Sequence, residues 1–465
     1  MKRLFCIILG ICLLLGLCGC STVKEEQGAE VPLRVGFGRV DVTPDFSVGL
    51  AGYYNAETRR STDVVDPLYI TCIAITEEEE TVLMLTADTL GLGGANLATF
   101  RSSVSSATGI AQDKIFVGAT HCHSAPDLSI GDEQCEKYKT LFFDSAAKAA
   151  LAALEDRSPA TLKATTTNLS GMNFVRHYKM ADGSYAGSNF GSFTTTTPVE
   201  YATESDPQMV LVQFDRTGDK QDILMMNWQA HPDYTSTIGT TKLSASFVGP
   251  ARAQLEQDSG MLVAYFTGAS GNQNPSSRIS ADNNKLKWQD YGATLALFAM
   301  EALKNLKPIE GSGIQTKQTM LDLEIDHSWD HMINEANAVY DLWKSESKEA
   351  GDALGSTYGF TSSYQAQMIR TRSEMPTTQQ LEINACRVGG IGFVMGTYEM
   401  FSDAGLYIKR NSPYEITFVI SGNHTYIPSA AAYDYRSYEA DTGLYAKGTA
   451  EKLAEEFVSM LKALQ

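Results

Sequence analysis

The stretch that decides the fold is Lys114-Ile115-Phe116-Val117-Gly118-Ala119, followed directly by Thr120-His121-Cys122-His123-Ser124-Ala125-Pro126. Its first half is short, unbroken in apolar character and rich in β-formers, as in a strand covered on both faces. Val82-Leu83-Met84-Leu85 upstream reads the same way. Between these runs, 97–107 has a helical pattern. Beyond them, the apolar residues of 133–155 recur every three to four positions, as on an amphipathic helix. A strand–helix–strand–helix order argues an α/β body.

Working outward, further strands are expected at 68–76, 81–87, 209–214, 223–228, 261–266, 319–325, 382–388, 392–395 and 416–420. Helices are expected at 249–257, 285–306, 330–345, 401–410 and 447–463. No internal repeat and no Pro- or Ser-rich linker interrupts them. The polar, Gly/Ser-rich stretch 346–379 reads as a long surface excursion. The expectation is one large α/β domain over 33–465, with mixed β-sheets flanked by helices and a site at strand ends, where α/β sheets place their ligands.

The N-terminal residues read differently. Lys2 and Arg3 precede an uncharged run, 4–17, which at about 14 residues is shorter than the ~20 a membrane helix needs and suits a signal peptide. It ends in Leu17-Cys18-Gly19-Cys20, a lipobox. The expected division is a lipoprotein signal peptide at 1–19, then lipidated Cys20 and a polar tether to residue 32. That places the protein outside the cytoplasm, lipid-anchored to a bacterial cell membrane. Four of the eight cysteines fall within residues 1–20. The remaining Cys72, Cys122, Cys135 and Cys386 lack the spacing of a disulfide scaffold, and a chain of this length can build a core without bridges. The net charge of −18, or −20 without Lys2 and Arg3, repels nucleic acid. No protein partner is readable.

Candidate chemistry sits on four segments. His121 and His123 share one side if the backbone is extended. They suit one metal ligand plus a proton-transfer or supporting group, or two ligands, or simply two hydrogen-bonded residues at a strand end. His231, in Asn227-Trp228-Gln229-Ala230-His231-Pro232, also follows an expected strand. Glu399, in Gly396-Thr397-Tyr398-Glu399-Met400-Phe401, lies where a strand gives way to a helix and alone reads as a cap. Ser421-Gly422-Asn423-His424-Thr425-Tyr426-Ile427-Pro428 alone reads as a turn. Two histidines and one carboxylate are a common catalytic zinc set that leaves a position open for water. Asp88, at a strand end, is a candidate support for a ligating histidine. His177, His327 and His331 carry no such context, and His424 is near the site.

Taken in order, these segments resemble the neutral/alkaline, non-lysosomal ceramidase family. Gly36-Phe37-Gly38-Arg39-Val40-Asp41-Val42-Thr43-Pro44, Gly52-Tyr53, Asp66-Pro67-Leu68, Thr86-Ala87-Asp88, the Thr-His-Cys-His-Ser-Ala-Pro segment and Tyr438-Glu439-Ala440 carry the likeness, which runs from Val35 to the C-terminus. The resemblance implies Zn2+ held by His121, His231, Glu399 and Tyr426, with Tyr433 sharing the family's spacing. It implies His123 beside the substrate and Arg176, in Asn173-Phe174-Val175-Arg176-His177, near the acyl group.

Two departures bear on substrate. Asn274, in Gly271-Asn272-Gln273-Asn274-Pro275, stands where the family has a serine facing the substrate. The family's C-terminal immunoglobulin-like domain is expected to be absent. The reading is a zinc-dependent hydrolase that cleaves a ceramide-like amide, or an ester, through a metal-activated water. In it Arg176 meets the oxyanion, His123 protonates the leaving amine, and Tyr426 either binds zinc or hydrogen-bonds the oxyanion. The partner is then a small-molecule or lipid-like amide. Two alternatives stay open: a binding or inactive relative without turnover, and a metal hydrolase for a carbohydrate ester or N-acyl sugar.

Overall fold

Strand alternation explains the layers. In a strand, neighbouring side chains face opposite ways, and here both faces are apolar. Ile73, Ile75, Val82 and Met84 enter one core, while Cys72, Ala74, Leu83 and Leu85 enter another. The computed structural model describes residues 33–53, 58–189, 197–276, 287–422 and 425–465, within one unit, Pro32–Gln465. Cys20, the leader and tether assigned to residues 1–32, His424, and the first two positions of the helix expected at 285–306 lie outside the described residues.

A large mixed sheet runs in the order Leu262–Thr267, Ile223–Trp228, Gln208–Arg216, Ser158–Asn168, Arg34–Asp41, Tyr69–Glu77, Glu80–Ala87, Ile115–Ala119. A second sheet runs Ile314–Glu324, Thr378–Val388, Ile391–Gly396, Ile416–Ser421. Phe116, Val210 and Phe266 of the first pack on Phe393, Met395 and Phe418 of the second. Helices Gly94–Thr108 and Glu133–Glu155 cover one half of the outer face of the large sheet, and Val248–Ser259 and Trp288–Leu303 the other. Ser402–Asn411 and Thr449–Ala463 cover the small sheet. The result is two stacked mixed sheets between helices.

Most pairings are antiparallel. Within these two sheets three are parallel: Glu80–Ala87 with Ile115–Ala119, Ile223–Trp228 with Leu262–Thr267, and Ile391–Gly396 with Ile416–Ser421. His121, His231, Glu399 and Tyr426 each follow a strand of one of these three pairs. The parallel pairs bring the C-terminal ends of four strands, and so the four candidate ligands, to one place.

Two long strands of the large sheet escape the sequence patterns, as do several short ones. Ser158–Asn168 is Thr-rich with little apolar contrast. Arg34–Asp41 carries Gly36 and Gly38, and glycine is depleted in strands. Here they let helix Glu133–Glu155 lie directly on the strand, since a Cβ at Gly36 would fall 2.0 Å from the Ala153 carbonyl oxygen. The stretch 346–379 is not a surface excursion. It holds helices Lys348–Thr357 and Ser363–Ser373, each started by a serine, Ser347 and Ser362, that accepts from a first-turn amide. Ala366 and Ile369 bury against Val339 and Phe360, a small apolar cluster hidden by the polar composition around it. Cys72, Cys122, Cys135 and Cys386 are all buried free thiols. Among the described residues, no helix is long and apolar enough to cross a membrane.

Candidate active site

The two histidines of the Thr-His-Cys-His segment do converge, but not through strand alternation. His121 sits at φ 62°, in the left-handed region, where a non-glycine residue is strained. Neighbouring contacts hold it there. The Thr120 and Cys122 amides donate to the Ala87 and Thr89 carbonyls, and the Cys122 thiol turns away into the core to donate to the Ser244 carbonyl at 2.7 Å. With Cys122 pinned on the far side, both rings face the same space.

His231 is fixed by its amide, which donates to the Gln273 carbonyl at 2.8 Å. Glu399 and Tyr426 are directly opposite one another on two short parallel strands, Glu399–Met400 and Tyr426–Ile427. His231 Nε2 lies 3.1 Å from His121 Nε2 and 2.8 Å from His123 Nε2. Glu399 Oε2 lies 3.3 Å from His121 Nε2 and 3.9 Å from His231 Nδ1. On the outer ring edges, His121 Nδ1 meets the Leu90 carbonyl at 2.8 Å and His231 Nδ1 the Ser270 carbonyl at 3.4 Å. Those carbonyls can only accept, so each Nδ1 carries the proton and each Nε2 lone pair points inward.

The electrostatics match a missing positive charge. Burial, then the neighbouring His121 and His123 rings, press the His231 imidazole pKa well below its usual value. Burial pushes the Glu399 carboxyl far above the carboxylate range. Glu399 Oε2 is buried and makes no hydrogen bond, an arrangement that is costly unless a cation shares the space. His121, His123 and His231 form a buried group that could hold a metal ion, and they do so alongside Glu399. The donor set fits a divalent ion of borderline softness.

The site opens into a cavity of about 780 Å³. Its second wall is built on Arg176, whose Nη2 donates to the Tyr426 hydroxyl at 3.2 Å and whose Nε donates to Glu439 Oε1 at 2.6 Å. Glu439 also meets His177 Nε2 at 2.8 Å, and His177 Nδ1 meets the Tyr435 hydroxyl at 3.0 Å. Despite its burial, Glu439 is held far below the usual carboxylate range by Arg176 and His177.

His121, His123, Arg176, His231, Glu399 and Tyr426 line this cavity, and Asn274 does not. The Asn274 amide turns aside and donates to the Asn189 carbonyl at 3.1 Å, so Asn189 rather than Asn274 faces the space. Its strand Gln273–Pro275 instead pairs with Asn173–Val175, the segment that leads into Arg176. Asp88 does not support a histidine. It accepts from both Arg252 terminal nitrogens, at 3.2 and 2.8 Å, and the Leu90 carbonyl takes the role expected of it.

Sequence reasoning passed over His177, Tyr435 and Asp233. The Tyr53 hydroxyl donates to the Asp233 carboxylate at 2.8 Å, and Asp233 Oδ2 lies 4.0 Å from His123 Nδ1. The adjacency of Asp233 to His231-Pro232 was the one available signal. Gly52, at φ 98°, packs against His123, and a Cβ there would fall 2.4 Å from Nδ1.

No family model and no curated protein matches the chain in sequence. Solved structures do match in fold. Neutral ceramidase from Pseudomonas aeruginosa superposes with a TM-score of 0.69 at 16% identity, over 94% of this chain and 75% of that one. A ceramidase complexed with C2 superposes with a TM-score of 0.67 at 15% identity, over the same shares. Two stacked mixed sheets with a buried histidine group at their strand ends define the class, and the fold is that of neutral ceramidase.

Proposed function

We propose that this chain is a zinc-dependent hydrolase of an acyl amide. The observation that carries the reading is the convergence of three imidazole Nε2 atoms beside an unpartnered buried Glu399 oxygen. The fold shared with neutral ceramidase supports it.

His121, His231 and Glu399 would hold the ion, with Tyr426 adjacent. When bound, zinc acidifies water to a pKa of about 7 and polarises a carbonyl. The remaining work belongs to side chains. The Arg176 guanidinium and the Tyr426 hydroxyl share a hydrogen bond and both face the cavity, so they set positive charge and a donor where an oxyanion develops. His123 faces the same space; burial presses its pKa below the usual value, Asp233 behind its other nitrogen opposes that shift, and the ring is placed to pass a proton to the departing nitrogen. Asn274 does not reach the cavity and takes no step. We also propose that Cys20 is lipidated and tethers the enzyme to the cell membrane. In that case Cys20→Ala moves the protein from the membrane fraction to the soluble one.

Metal analysis with a hydrolysis panel tests the enzyme. One zinc per chain, lost in His121→Ala, together with acyl-amide cleavage is the expected result. Purified wild type without zinc under zinc-replete conditions defeats the proposal. Zinc with no turnover of any amide or ester leaves a binding protein.

A further inference from the structure

Resting on the hydrolase reading, we infer that the acyl group removed here is borne on a sugar ring: the cavity takes an N-acylated amino sugar. An alkyl chain is held by apolar walls, at ~0.8 kcal/mol per buried CH2. Among the described residues, this cavity offers only Leu90 and Ala186 as aliphatic lining. It offers instead six tyrosines, together with carboxylates at Asp127 and Asp233.

Two of the tyrosines stack into a platform one ring wide, with Tyr435 backing the more open Tyr185. The Tyr185 and Tyr435 rings are 4.8 Å apart and inclined by only 15°. Tyr435 cannot swing, because its hydroxyl is held by His177, which is held in turn by Glu439. Tyr185 is set on a strand, Tyr185–Gly187, that pairs with His177–Met180. Tyr185 is 42% exposed and Tyr438, on the same wall, is 49% exposed. Flat, fixed rings with open area suit the C–H face of a pyranose. Carboxylates that can each accept several bonds suit its hydroxyls. The platform is not remote from the chemistry. Tyr435, His177, Glu439, Arg176 and Tyr426 form an unbroken chain of contacts to the histidine cluster. A sugar lying on the platform would therefore share one cavity with the ion site.

The reaction balances with water alone. Water oxygen bonds to the acyl carbon, the C–N bond breaks, a proton passes to nitrogen, and a carboxylate and a free amino sugar leave.

The test uses the zinc-loaded chain with two probes, N,N′-diacetylchitobiose and a medium-chain ceramide in detergent micelles, with sugar binding followed separately by saturation-transfer NMR. Sugar deacetylation is expected. Tyr185→Ala should raise its KM by about fivefold to tenfold, with kcat and zinc content unchanged, and Tyr185→Trp should restore it. Preferential release of fatty acid from ceramide, or a sugar KM indifferent to Tyr185→Ala, overturns the inference and leaves the hydrolase reading standing. Sugar bound in a Tyr185-dependent way, with no zinc and no hydrolysis of any amide, supports the sugar site and overturns the hydrolase reading instead.

Discussion

The two walls of the cavity are built on opposite principles. In the histidine corner, polar atoms face one another without settling their charges. Three imidazole nitrogens meet, and His123 Nδ1 and Glu399 Oε2 are buried without a hydrogen bond. In the arginine–tyrosine wall, Arg176, Glu439, His177 and Tyr435 satisfy one another in sequence. Buried polar groups are expensive to leave unpaired. The first arrangement is therefore one that a cation could complete, and the second completes itself. One wall is incomplete without a ligand, and the other holds its shape without one.

The largest effect should come from breaking the arginine–tyrosine wall. Glu439→Ala strands the buried Arg176 charge, and loss of one partner of such a pair costs about 3–5 kcal/mol. Denaturant unfolding should show it, and a cost under about 1 kcal/mol would mean that the wall is not self-supporting. The same carboxylate predicts an acid limb. Its folded pKa lies below the unfolded value of about 4.3, so its contribution is full above that value and is lost as the pH falls below it. Glu439→Gln should flatten that limb.

The histidine corner should answer to metal instead. Zinc at about 100 times its dissociation constant should stabilise the wild type by ~2.7 kcal/mol. It should not stabilise His121→Ala, and Glu399→Gln should lose more affinity than the ~10–100-fold that removal of a supporting partner costs. A melting-temperature shift with zinc that survives both substitutions would erase the contrast between the walls. Gly52→Ala is a milder probe. It adds a methyl against His123 at a left-handed position, for about 1–2 kcal/mol, and should lower hydrolysis while leaving zinc bound. Equal loss of both would make His123 a ligand. The smallest effect should be Tyr435→Phe, one hydrogen bond to His177, worth about 1 kcal/mol in thermal unfolding.

How much of this was legible varies by residue. The runs Val82–Leu85 and Ile115–Val117 announce strands buried on both faces because burial is written in composition, and both are such strands. Helix Glu133–Glu155 is read to the residue because its amphipathic period is long. Ser158–Asn168 and the helices within 346–379 stay hidden because their polar residues outnumber the few that pack.

At the site, residue type carried His121, His123 and His231, and the family likeness placed Glu399, Tyr426 and Arg176 beside them. The sequence alone determined that strands end in histidines and that the body is α/β, since both are local properties of composition and period. Only the tertiary structure decided the rest, because each step depends on contacts far apart in the chain. It bent His121 into the left-handed region, used Cys122 to turn both rings one way, gave Asp88 to Arg252, moved Asn274 behind Asn189, and brought His177 and Tyr435 into the wall. Three parallel strand pairs drawn from separate parts of the chain gather the candidate ligands at one point, and no local pattern could announce that meeting.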